Sequence, residues 1–163
     1  MLMKPIQAQG STDTSARIRK AHPPVDRAGL DDFVGYQLRL AYIAISRHFA
    51  KAMQAVDLTQ KQTGVLWLIA ANGGVSQISL ARELGMDRAS MMAIIDRLQN
   101  RGLIVRERSR HDGRRQELYL TPKGRKTMAR SRKALEKHEL WITNRFTPDE
   151  VAELMSLLGR IQH

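Results

Sequence analysis

The chain has no cysteine, which excludes disulfides, thiol redox sensing and thiolate metal sites and accords with a reducing cytoplasm. It also lacks any apolar run near the roughly 20 residues that span a bilayer, and its amino-terminal region has no apolar segment of the secretory kind. A soluble cytoplasmic protein without membrane contact is expected. Acids are scarce: 16 against 27 lysines and arginines give a net charge of +11. That balance favours polyanionic partners without separating DNA from RNA or an anionic membrane. His22, His48, His111, His138 and His163 are scattered without metal-ligand spacing, and there is no glycine-rich phosphate loop or nucleophile elbow. Neither an enzyme nor a bound metal or cofactor is expected. No internal repeat is present, and 163 residues suit one domain, or one domain plus a dimerisation extension.

What the chain does have is concentrated in residues 76–121. Ile78, Ala81 and Leu84 fall on one face of a short helix, and Gly85 can end it in a left-handed conformation. Asp87 is placed to cap the next helix, where Met91, Ile94, Ile95 and Leu98 recur at helical spacing. Packing those four inward turns Arg88, Ala89, Ser90, Met92, Ala93, Asp96 and Arg97 outward or to the flanks. Gly102 stops the helix. Residues 103–108 and 116–120 read as two strands around a turn built on Asp112 and Gly113. Residues 101–115 carry Arg101, Arg106, Arg108, Arg110, Arg114 and Arg115 against Glu107 and Asp112. A charge run of this kind often only solvates a hairpin. Beside a two-helix unit whose second helix has a small-residue outer face, it points to a phosphate backbone.

The stretch LIVRERSRHDGRRQELYLTPKG at residues 103–124, with Asp96, Arg97 and Leu98 before Gly102 and Leu103, resembles the wing signature of MarR-type bacterial transcription regulators. The resemblance extends over about residues 30–163. It implies a mainly α fold with a small β-hairpin wing, a winged helix-turn-helix joined to a helical dimerisation region. It further implies a homodimeric repressor on a near-palindromic double-stranded DNA operator, released by a small ligand bound between the two regions. The cysteine-based oxidation sensing of some relatives is impossible here.

Along the rest of the chain, residues 1–28 contain Gly10, Ser11, Pro23 and Pro24 without an apolar period and read as a flexible basic arm. Residues 29–56 read as one long helix with two apolar stripes, hence covered on two sides. Thr59 can cap a helix over 60–71 whose Val65, Leu66, Leu68 and Ile69 are core candidates. Thr121-Pro122 and Thr147-Pro148 start two further helices, the second with Glu150 completing a capping box. The last helix carries more apolar surface than a peripheral helix needs. Residues 58–121 thus form the expected DNA-binding lobe of a domain spanning 29–163, and residues 29–57 and 122–163 its dimerisation helices.

In the DNA-bound arrangement Arg88 donates to guanine, Ser90 to a base edge or phosphate, and Ala89, Met92 and Ala93 meet thymine methyl groups. Arg97 and Arg101 hold phosphate, Arg114 or Arg115 at the wing tip enters a neighbouring minor groove where that groove is narrow, and Arg110 is a further DNA-binding candidate. The segment FVGYQLRLA at residues 33–41 resembles the first helix of the branch governing hydroxycinnamate and aromatic-acid catabolism, some members of which respond to aroyl-coenzyme A thioesters. That implies an aromatic acid or its coenzyme A thioester as effector. Tyr36, Tyr42, Ile43 and Trp67 are the candidate slot, and Arg39 and Arg47 the candidate anion partners. The plainer reading has both arginines snorkel or pair with acids, and Trp67 serve as core. A ligand-independent architectural nucleic-acid binder is the alternative to a regulator.

Overall fold

The computed structural model describes residues 25–109 and 116–162. Its elements run α1 (Val34–Ala52), α2 (Gln60–Ala71), α3 (Gln77–Glu83), α4 (Arg88–Asn100), β1 (Ile104–Arg108), β2 (Gln116–Leu120), α5 (Pro122–Thr143) and α6 (Pro148–Ile161). Every helix after α1 starts where a side-chain oxygen accepts a free backbone N–H: Thr59 from Gln62, Ser76 from Ser79, Asp87 from Ser90, Thr121 from Gly124 and Thr147 from Glu150. Gln62 and Glu150 reach back to complete capping boxes. A threonine cap of this kind contributes about 1 kcal/mol.

Gly85 and Gly102 adopt φ of 58° and 68°, the left-handed region in which a Cβ is costly, and so let the chain turn sharply out of α3 and α4. The second turn feeds β1, which pairs antiparallel with β2 in the register Ile104 to Leu120 and Arg108 to Gln116. Val75 bridges to Leu118, so the segment before α3 extends the hairpin. Val65, Leu66, Ile69, Leu80, Met91, Ile95, Leu98, Leu103 and Leu118 form the buried centre, with Phe49 and Met128 joining it from α1 and α5.

Two sequence expectations need correction. The continuous helix over 29–56 is instead a 3-10 turn at Leu30–Asp32, an extended Phe33, and α1 ending at Ala52. Beyond it the chain turns through Asp57 at φ 51° to deliver Met53, Val56 and Leu58 into the core, which a straight helix does not do. In α3 the inward residues are Leu80 and Ala81, with Leu84 just after the helix half-buried, and Ile78 is 55% exposed. α1 packs on α5, whereas no residue of α6 is buried. Among the described residues no helix is long and apolar enough to cross a membrane.

Candidate nucleic-acid interface and ligand clefts

α4 is anchored by its inner residues and open along its outer side. Met91, Ile95 and Leu98 are buried, while Arg88, Ala89, Ala93 and Arg97 are exposed, Met92 is 52% exposed and Ser90 is half-buried. The expected reading residues therefore share one solvent-facing surface. Two alanines on it leave room for the backbone to approach a groove. At its amino end the Asp87 carboxyl accepts from the N–H of Ser90 at 2.8 Å, and that bond chiefly holds its pKa below the ordinary carboxylate value.

The base of the hairpin is tied to this helix. Arg106 of β1 donates to the Asp96 carboxylate and, at 2.7 Å, to Gln99 Oε1. Periodicity alone gave no sign of this pairing, because it joins a helix flank to a strand ten positions on. Arg101, expected on phosphate, has its guanidinium on the carbonyls of Val56, at 3.2 Å, and Asp57. Arg108 is exposed on β1. Arg110, Arg114 and Arg115 lie outside the described residues, as does nearly all of the expected arm.

Three clefts are candidates for a ligand. The largest, about 780 Å³, opens between α2, β2 and α5; Trp67, Ala70, Leu120, Met128 and Ala129 supply apolar surface, and Arg125, Arg132, Lys133 and Glu136 the charges. A second, about 320 Å³, lies between α1, α2 and α5 and includes Phe49, Trp67, His138 and Glu139. The third, about 710 Å³, is formed by residues 25–31 with Tyr36. There Arg27 pairs with Asp31 at 2.6 Å and lies 5.9 Å from the Tyr36 ring centroid. The six residues expected to meet an effector are not gathered in one cavity: Trp67 borders the first two clefts and Tyr36 the third. Arg39, Tyr42, Ile43 and Arg47 border none of the three. Arg39, Tyr42 and Arg47 are exposed on α1, and Ile43 is half-buried there.

An aromatic stack absent from the sequence expectations fills the contact of α1 with α5. His48 and His138 approach through their Nδ1 atoms at 2.7 Å, and His48 lies flat on Trp141 with ring centroids 4.0 Å apart. Arg145 covers the far face of this group at 3.8 Å from the Trp141 centroid. His138 and Trp141 stand one helical turn apart, so their shared face was legible; their partner on α1 was not. Among the described residues no group of three His, Asp or Glu is placed to hold a metal ion.

Against known proteins, a profile described as MarR family matches residues 56–115. The protein assigned to transcriptional regulation of the hcr operon in Thauera aromatica is 35% identical over 129 residues, 78% of this chain and 78% of that one. Among solved structures, the transcriptional repressor CouR bound to a 23-mer DNA duplex superposes with a TM-score of 0.81 at 36% identity, covering 86% of this chain and 99% of that one. CouR bound to p-coumaroyl-CoA gives 0.79 at 35% identity, with the same coverage.

Proposed function

This chain belongs to the MarR family, and from that premise we propose that it is a homodimeric, sequence-specific repressor released from its operator by an aromatic acid or the coenzyme A thioester of one. The observation that carries the DNA-binding part is the outer face of α4, where Arg88, Ala89, Met92, Ala93 and Arg97 stand together in solvent on a helix whose other side is locked into the core. A helix held in this way enters a major groove without reorganising. The protein is a cytoplasmic regulator rather than an enzyme.

The dimer is supported by apolar surface that one copy leaves uncovered. Val34 on α1 and Met155 and Ile161 on α6 are 70%, 66% and 64% exposed, and Leu140 near the end of α5 is also exposed. Residues 29–57 and 122–163 together bury this surface against the same surface of a second copy, an isologous contact. Residues 58–121 of each copy then face the DNA. The ligand class is supported by the likeness to CouR, whose structures include one with DNA and one with p-coumaroyl-CoA. Such a ligand releases DNA only if it binds the DNA-free arrangement better than the DNA-bound one.

Footprinting on DNA upstream of the protein's own gene, combined with sedimentation of the complex, tests this reading. Two copies should protect two half-sites about 10 base pairs apart, centre to centre. One copy per site, or protection without sequence preference, points instead to an architectural binder.

A further inference from the structure

We propose that the outward face of α5 is a second DNA site, holding the phosphate backbone of a duplex segment other than the one that α4 reads. The proposal goes beyond operator recognition and needs no effector.

Positive charge is denser on α5 than on the reading unit. Residues 122–137 hold seven lysines and arginines against Glu136 alone, whereas residues 88–108, with α4 and β1, hold five arginines against Asp96 and Glu107. Two of those five, Arg101 and Arg106, are bonded within the protein. On α5, Lys126, Arg130, Lys133 and Lys137 recur at intervals of four, three and four, which puts them on one face. At 3.6 residues per turn that face lies opposite the buried Gly124, Met128, Ser131 and His138, and all four cations are exposed. Arg130 is steadied by one bond, to the Ala55 carbonyl at 2.9 Å. Among the described residues no ion pair involves any of the four.

The make-up of the face selects its partner. Four cations over about 16 Å of helix, three of them lysines, suit a row of phosphates held without regard to sequence. Between Lys126 and Lys137 no aromatic or large apolar side chain is exposed. The face therefore lacks the stacking platform of a single-strand site, the apolar anchor of a protein interface and the apolar wedge of a membrane-surface helix.

Position separates it from the operator. α4 has 13 residues, about 20 Å of helix, and Lys123 at the start of α5 donates to the carbonyl of Arg101, just past the end of α4 remote from Arg88. α5 also starts at the Ile104 and Leu120 end of the hairpin, the end away from Arg108 and Gln116. A straight duplex seated on the first turn of α4 and on the hairpin turn lies on the other side of the lobe. The stripe is left open to another segment.

The test uses the full-length protein and a fluorescent duplex of scrambled sequence, with binding followed by anisotropy over a range of salt concentrations, with and without prior saturation by unlabelled upstream DNA. The saturated wild type should still bind the scrambled duplex. In Lys126→Gln/Lys133→Gln/Lys137→Gln that second binding should weaken by about tenfold or more, and its slope of log affinity against log salt should shrink by about two to three. Affinity for the upstream DNA should stay within about threefold. The corresponding triple arginine variant should bind like wild type, since it keeps the charge. A glutamine variant that binds the second duplex like wild type would show that the lysines only solvate α5, and a saturated wild type that binds none overturns the site outright. Equal loss of upstream affinity would give the stripe to the operator duplex, bent round the lobe; sedimentation of the glutamine variant as a monomer would give it to the dimer contact. Either result overturns the proposal. Absence of preference for the upstream DNA would instead defeat the operator reading, and the difference between variants on the scrambled duplex would still decide the site.

Discussion

The guanidinium of Arg101, the residue that follows α4, donates to the backbone carbonyl of Val56 at 3.2 Å, joining the end of α4 to the turn that follows α1. It also donates to the Asp57 carbonyl and lies 3.4 Å from the Asp57 carboxylate, and Lys123 of α5 donates to the Arg101 carbonyl at 2.7 Å. These bonds draw on the donors that a phosphate would use. Arg97, one turn earlier, is exposed. Arg97→Ala should therefore reduce the slope of log affinity against log salt by about one while leaving thermal unfolding unchanged. Arg101→Ala should lower the unfolding midpoint and leave the slope as it is. A slope reduced by about one in Arg101→Ala, at unchanged stability, would show that Arg101 leaves the turn for the DNA.

Local chemistry was legible in the sequence; long-range geometry was not. Thr59, Asp87, Thr121 and Thr147 announce their helices because capping needs only a side-chain oxygen and a few following residues. Met91, Ile95 and Leu98 follow from period alone. Ile78 was misplaced because a helix of seven residues allows several apolar faces, and packing against the rest of the core selected Leu80 and Ala81. The break at Phe33 and the turn through Asp57 answer to what must be buried beyond them. Five of the six expected effector residues were chosen from α1 and only Trp67 from α2, whereas the clefts form between elements: the largest of the three also takes Arg132 and Met128 from α5 and Leu120 from β2.

The His138 imidazole, buried in the contact of α1 with α5, makes stability depend on pH. Burial, and then the neighbouring His48, lower the His138 pKa below its ordinary value, and Glu139 opposes this in part. At pH above the unfolded value of about 6.5, His138 is neutral in both states and contributes no pH dependence. As pH falls through that value the unfolded chain takes up a proton that the folded chain resists, so stability falls until the folded pKa is reached. The unfolding midpoint should drop between about pH 7 and pH 5, and His138→Asn should flatten the dependence. An equally steep fall in that variant would place the titrating group elsewhere.

Gly124 marks a close approach of α5 to the turn after α4. A Cβ there would stand 1.9 Å from the Leu103 carbonyl oxygen and 2.9 Å from its carbon, and that same oxygen accepts from Thr121 N. Backbone on both sides leaves no flexible group to yield. Gly124→Ala should cost about 3 kcal/mol of unfolding free energy by denaturant titration and weaken operator binding with it. Wild-type stability would mean that α5 docks at a different distance.

The proposed dimer makes α6 decisive. Met155→Glu with Ile161→Glu places charge on side chains that are exposed in one copy, so folding of that copy should survive. Buried against a second copy, the same charges are costly. Sedimentation should shift from dimer to monomer, with cooperative operator binding lost. A dimer that persists unchanged would remove α6 from the interface.

The most direct measurement is equilibrium binding to DNA from the protein's own upstream region and to a scrambled duplex of equal length, at one fixed salt concentration, with and without p-coumaroyl-CoA. A sequence-specific repressor should prefer the upstream DNA by about a thousandfold or more, with the thioester abolishing the preference. Equal affinity for both duplexes, unaffected by the thioester, would contradict the account.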